Sequence, residues 1–288
     1  MIAHVAQAGE HRGRVVLWLG AVGEPQDTAV DAALHLARAF DSEVESIFIE
    51  DRQLYDMAAL PFAREISLSG RKSRSLSTSR LEGEMQTLAS ALQRRVIARA
   101  RAAEVKTAVR VMREEPMAAL AKACAENGPW NVVTVGTPLT RGGPQSLAAL
   151  FRSVDATTGI VVAGPEARRT TGPVVAIVED LERAAPMLRA AQRIAAATEG
   201  EVQLWLVDHD AGQLAWMDGQ MRLLVGPVAD VTLRTVDLSV HQPHQVAAML
   251  RREGAGFVIA QFGGRMAARD ADAALLTEIL EGPLFLVR

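Results

Sequence analysis

Several things are scarce in this chain, and each scarcity removes a class of protein. Among 288 residues there is one cysteine, Cys124. A single thiol makes no internal disulfide and no cysteine-based zinc set. Aromatic residues are 4% of the chain, with one tyrosine, so the core has to be assembled from small aliphatic side chains. No apolar run approaches the roughly 20 residues that span a bilayer. Lys and Arg total 31 against 34 Asp and Glu, a formal net charge of −3. That balance excludes a general electrostatic hold on nucleic acid. The opening "MIAHVAQAGEHRGR" has no charged, apolar, small order of the secretory kind, so the expected location is the cytoplasm. No Walker loop, G-x-S-x-G elbow or H-E-x-x-H helix occurs, and no G-x-G-x-x-G follows the first strand. No catalytic residue and no metal ligand set is expected.

What is present is a repeat. "GRVVLWLG" (13–20) and "GPVVAIVED" (172–180) are apolar runs opened by Gly, each followed by an Ala/Leu helix and then by another strand, "VESIFIE" or "VQLWLVD". The second halves also correspond: residues 105–136 and 231–262 both run strand, Pro-started helix, Gly, apolar strand. Pro116 and Pro243 fall at the first helical turn, where a missing N–H costs nothing. Each half closes on a last strand, "GIVVAG" (159–164) or "PLFLVR" (283–288). Between them "PEARRTTGP" (165–173) has linker composition. The expected division is a first domain over 1–168 and a shorter second domain over 169–288. Apolar, barely alternating strands separated by helices imply parallel strands buried on both faces. The expected fold class is α/β: two tandem doubly wound sandwiches, each with a mostly parallel sheet of about five strands.

The strand–helix–strand opening, the Pro-started penultimate helix and "VVTVGT" running into a Gly-rich loop and a last strand resemble the universal stress protein family. The resemblance covers both halves, so the chain is similar to a tandem member. It implies a fold found in ATP-binding and non-binding proteins alike, and dimerisation through the last strand, either within one chain or between copies. The binding members carry G-x2-G-x9-G-[ST], in which glycines bring backbone N–H groups to phosphate and the final pair lies near a helix start. Here Gly136 stands first, followed by Thr137, and Leu139 occupies the second glycine's position. Gly142 and Gly143 come later, nine residues separate Gly142 from Arg152, and Ser153 follows. Arg152 therefore replaces the last glycine. Two readings stay open: a guanidinium that contacts phosphate, or one that fills its space. Pro138 and Pro144 remove donors from the same loop. The Asp that the family places after its first strand is missing; Ala21 and Val22 stand there, and Asp27 reads as a helix N-cap. In the second half Glu179 or Asp180 stands in that region, but Gly263 and Gly264 lack a Gly-Ser partner. ATP or AMP is the one cofactor class that the resemblance leaves open.

Other candidates have plainer readings. His241 and His244 flank a helix start and are expected to serve the cap. Cys124, on an Ala-rich helix, is expected to be buried. Glu50–Asp51 and Glu179–Asp180 end strands and are expected to be mostly solvated.

The halves differ by about 30 residues, judged by repeat alignment. The excess, at about 51–83, leaves the carboxyl end of the second strand. It has an apolar part with Leu54, Tyr55, Met57, Leu60 and Phe62, of which Leu54, Met57, Leu60 and Phe62 are expected to pack on the body. A Ser-rich basic part with Arg71, Lys72, Arg74 and Arg80 is expected to be a solvated loop. The insertion is expected to be a lid, a surface for a protein partner, or a phosphorylated or anion-binding loop. The functional expectation is a non-catalytic, stress-associated or regulatory protein acting by partner or small-ligand binding. The alternative is an adenine-nucleotide sensor using the first loop. Either intramolecular pairing of the domains or a homodimer is expected.

Overall fold

Runs rich in Val, Ile and Leu form the strands, and the Ala/Leu stretches between them form helices that bury one face on the sheet. The computed structural model describes residues 13–20, 27–67, 69, 71, 73–126, 131–136, 146–153, 157–226 and 231–288. The first half contains β1 (Arg14–Gly20), α1 (Asp27–Ala39), β2 (Glu43–Asp51), α2 (Arg52–Ala58), β3 (Arg64–Ile66), β4 (Ser73–Ser75), α3 (Thr78–Ala102), β5 (Thr107–Glu114), α4 (Pro116–Glu126), β6 (Asn131–Gly136), α5 (Leu147–Ser153) and β7 (Thr157–Ala163). The second contains β8 (Val174–Val178), α6 (Leu181–Thr198), β9 (Val202–Asp208), α7 (Ala211–Val225), β10 (Val231–Asp237), α8 (Pro243–Arg252), β11 (Phe257–Gln261), α9 (Asp270–Ile279) and β12 (Leu284–Val287). Pro116 and Pro243 open their helices as expected.

Ten strands form one sheet in the order β10-β9-β8-β11-β12-β7-β6-β1-β2-β5. Within each half the order is 3-2-1-4-5, all parallel, and the halves meet back to back. The meeting pair is the only antiparallel one in this sheet among the described residues: Leu284 opposes Val162, Phe285 opposes Val161, Leu286 opposes Ile160 and Val287 opposes Gly159. Alternate strand residues face two helical layers. Val15, Leu17 and Leu19 point into a core with α1, α3, α6 and α7. Val16, Ile47 and the fully buried Trp205 point into a core with α4, α5, α8 and α9. Both cores run across the junction, and α1 packs on α6 of the other half.

Three local expectations change. Asp27 is the first residue of α1 and its carboxylate pairs with Arg95 and, at 2.8 Å, Arg99 of α3. The basic Ser-rich stretch is not simply a loop: β3 and β4 make an antiparallel hairpin, with Glu65 opposite Arg74. Their side chains meet at 2.5 Å, and Arg74 also reaches Glu84. Met57, Leu60 and Phe62 do not pack on the body; they are 48%, 44% and 75% exposed. The insertion is too thin to bury both faces of so short a helix and hairpin, so only Ala58 of α2 is buried.

The junction tolerates little side-chain volume. A Cβ at Gly159 would overlap the Phe285 ring and stand 2.8 Å from the Leu286 carbonyl oxygen. Gly159→Val is expected to cost about 1–3 kcal/mol or more through overpacking. A lowered urea midpoint checks this; an unchanged midpoint would show that the strand pair can yield.

Candidate functional site

A doubly wound sheet leaves a crevice where its strand order reverses, at the carboxyl ends of the two central strands. Here that point falls between β1 and β6 in one half and between β8 and β11 in the other.

At the first reversal, Gly136 ends β6, and no described residue comes within 4 Å of a Cβ built there. Thr137, Gly142 and Gly143 lie outside the described residues. Arg152 and Ser153 are expected beside a helix start, but both belong to the last turn of α5, and Arg152 is exposed. The helix begins six residues earlier than that expectation requires. Ser146 precedes it, and its Oγ accepts the Ala149 N–H at 3.2 Å. Ser146 is therefore the hydroxyl at the helix start, and the Ser before "LAALF" is the sequence signal for it. Asp270 of the other half reaches the same place, with Oδ1 accepting the Ala148 N–H at 2.7 Å. Helix N-terminal amides attract such a carboxylate.

At the second reversal the arrangement is complete. Beyond β8, Glu179 is 8% exposed rather than solvated. The turn after β11 folds back through Gly263, whose N–H meets the Ala267 carbonyl at 2.8 Å. That turn presents two amides to Glu179. The Arg265 N–H donates to Oε2, and the Met266 N–H donates to Oε1 at 3.1 Å. The Arg265 side chain then crosses the crevice: Nη1 donates to the Glu179 carbonyl at 2.9 Å, and Nη2 meets Asp208 Oδ2 of β9 at 2.9 Å. Asp180 turns the other way and caps α6, accepting the Glu182 N–H at 3.0 Å. Beside this cluster lies a cleft of about 720 Å³, walled by Trp216 and Gln213 of α7 and by Gln261. Burial raises the Glu179 pKa above the usual carboxylate value; the amides and charge of Arg265 and the Met266 amide oppose this, while Asp208 adds to it.

Glu50 at the end of β2 is likewise buried, 3% exposed. It accepts from Tyr55 Oη of α2 and from Arg113 Nε of β5, both at 2.8 Å. Arg113 also reaches Glu82 of α3 at 2.7 Å, and its guanidinium lies 4.0 Å from the Tyr55 ring centre. Burial and the Glu50 contact push the Tyr55 hydroxyl up to about 12. This cluster ties the root of the insertion to the sheet. Leu54 and Tyr55 are half-buried there. Beyond them Met57, Leu60, Phe62 and Ile66 (65% exposed) face solvent.

The remaining candidates are plain. Cys124 is buried in α4. Gln242, not a histidine, caps α8. Among the described residues no group of three His, Cys, Asp or Glu side chains is placed to hold a metal ion. No described helix is long and apolar enough to cross a membrane.

Comparison with known proteins gives likeness in structure alone. No protein-family model and no curated protein sequence matches the chain. Solved structures do. A universal stress protein from Archaeoglobus fulgidus DSM 4304 superposes with a TM-score of 0.62 at 14% identity, over 95% of this chain and 96% of that one. A putative universal stress protein from Pseudomonas aeruginosa UCBPP-PA14 gives 0.56 at 12% identity, over 95% and 92%. The cytoplasmic domain of a prokaryotic cation chloride cotransporter gives 0.56 at 10% identity, over 96% and 95%. The shared property is the fold, along nearly the whole length.

Burial of Glu179 has a consequence for stability against pH. Because its pKa in the folded chain lies above the ordinary value of 4.5, the folded state keeps a proton that the unfolded state has released. Stability therefore falls as pH rises from about 4.5 through the folded value. Glu179→Gln is expected to lessen that fall. Urea denaturation of both proteins from about pH 4 to about pH 7 checks it; equal slopes would reject it.

Proposed function

For a chain with the fold of the universal stress proteins, we propose a non-catalytic regulatory, stress-associated role carried out by binding a protein partner through the insertion. The observation that supports this most is the exposed apolar row Met57, Leu60, Phe62 and Ile66, held out from the sheet on the Glu50–Tyr55–Arg113 cluster. Residues 57–81 also carry Arg64, Arg71, Lys72, Arg74 and Arg80 against Glu65 alone. Exposed apolar residues in a segment of basic sequence suit a partner with apolar and acidic groups. The chemistry of the described strand ends agrees with a non-catalytic reading. Glu50 and Asp208 are engaged by arginine side chains and the Glu179 carboxylate by two backbone amides, so none stands as a ready general base.

Substituting Phe62→Asp and Ile66→Asp together is expected to abolish capture of the physiological partner from a lysate of the source organism. Circular dichroism should stay unchanged, because both side chains are exposed. Undiminished capture would remove the insertion from the function.

The second reading is an adenine-nucleotide sensor in the first half. It is favoured by Gly136, over which no described residue closes, and by Ser146 at the start of α5, where the Asp270 carboxylate would have to give way to a phosphate. Calorimetric titration with ATP, ADP and AMP, alongside Arg152→Gly, separates the two. Heat from the native protein that weakens in the variant makes Arg152 a phosphate ligand and favours the sensor. No heat from the native protein leaves the partner reading standing. Steady ATP hydrolysis that is lost in Ser146→Ala would overturn the non-catalytic role.

A further inference from the structure

The turn after β11 offers its amides inward, into the crevice at the second strand reversal, and the chain itself supplies the acceptor. We propose that Glu179 is the specificity-determining residue of this crevice: its carboxylate occupies a backbone oxyanion seat and thereby excludes phosphate-bearing ligands from the second half.

Four observations carry this. Two successive N–H groups, of Arg265 and Met266, converge on the two oxygens of one carboxylate. Successive inward-facing amides of this kind form an anion-binding concavity. Gly264, in the wall of the seat, has no room for a side chain, because a Cβ there would overlap the Glu179 carboxylate. The turn is thus shaped around that group. Arg265, the one cation lining the cleft among the described residues, is also committed, to the Glu179 carbonyl and to Asp208. Finally, the cleft beside the seat is lined by Glu179, Asp180, Glu182 and Asp208, so an incoming phosphate would meet like charge.

The second half has an oxyanion seat whose occupant is covalently part of the chain, at an effective concentration no free anion at ordinary levels matches. Removing the carboxylate while keeping the turn should make the seat accept inorganic phosphate. Glu179→Gln should not, since its carboxamide still fills the space. This inference does not depend on the insertion binding a partner.

The test uses the full chain with inorganic phosphate and ATP as probes. Binding is followed by calorimetry and by the amide resonances of Gly263, Gly264, Arg265 and Met266. Glu179→Ala and Glu179→Ser are expected to bind phosphate at least about tenfold more tightly than the native protein, with shifts at those four amides. The native protein and Glu179→Gln should show none there. Native-protein shifts at those amides would overturn the proposal, as would folded Ala and Ser variants that stay silent. Failure of both variants to fold would overturn it too, by making Glu179 a structural residue. A native-protein response confined to Gly136 would instead count against the partner reading of the whole protein and leave this inference intact.

Discussion

The antiparallel pairing of β7 with β12 is the contact on which the rest of the molecule is arranged. Each half alone would end in an open strand edge with unpaired N–H and C=O groups. Joined, they form one ten-stranded sheet, and both helical layers continue over the seam. Gly159 lets the Phe285 ring lie against the backbone at the seam. Other contacts across the halves reinforce it. Phe151 stacks on Phe262 at 4.8 Å, and Asp270 meets the first turn of α5. The presumed linker is correspondingly pinned: the N–H groups of Arg168 and Arg169 both donate to the Glu281 carbonyl.

The same topology brings acids into low-solvent positions. Glu50, Glu179 and Asp208 stand at or just beyond strand carboxyl ends, all under 9% exposed. A buried carboxylate without partners is costly. Glu50 and Asp208 are each answered by an arginine from a neighbouring strand or turn, and the Glu179 carboxylate by two backbone amides. The halves use this device differently. In the first it anchors an insertion through Tyr55 and Arg113. In the second it fills a crevice.

Much of the fold was legible in the residues. Apolar runs opened by Gly, repeated twice with a Pro-started penultimate helix, correctly indicate an α/β fold with about five mostly parallel strands in each half; the 3-2-1-4-5 order and the joining of the halves into one sheet came only with the structure. Cys124 was legible as core because it sits in an Ala-rich helix. The candidate site was much less legible. Motif spacing pointed to Arg152 and Ser153, yet the start of α5 belongs to Ser146, since a serine before an apolar run caps a helix whatever its distance from the last glycine. Glu179 looked solvated because its partners, Arg265 and Met266, are 86 and 87 residues away. The apolar residues of the insertion looked like core because composition does not tell whether a neighbouring surface exists to cover them.

By itself the sequence determined the class of fold, the internal repeat and the absence of a cysteine-based metal or disulfide framework. Those properties follow from local periodicity, turn residues and counts. Only the tertiary structure decided which acids are buried, that the Glu179 carboxylate lies on the turn after β11, and that Met57, Leu60 and Phe62 face solvent. Burial and partnership depend on which distant segments the sheet order brings together, and that order is a property of the whole chain.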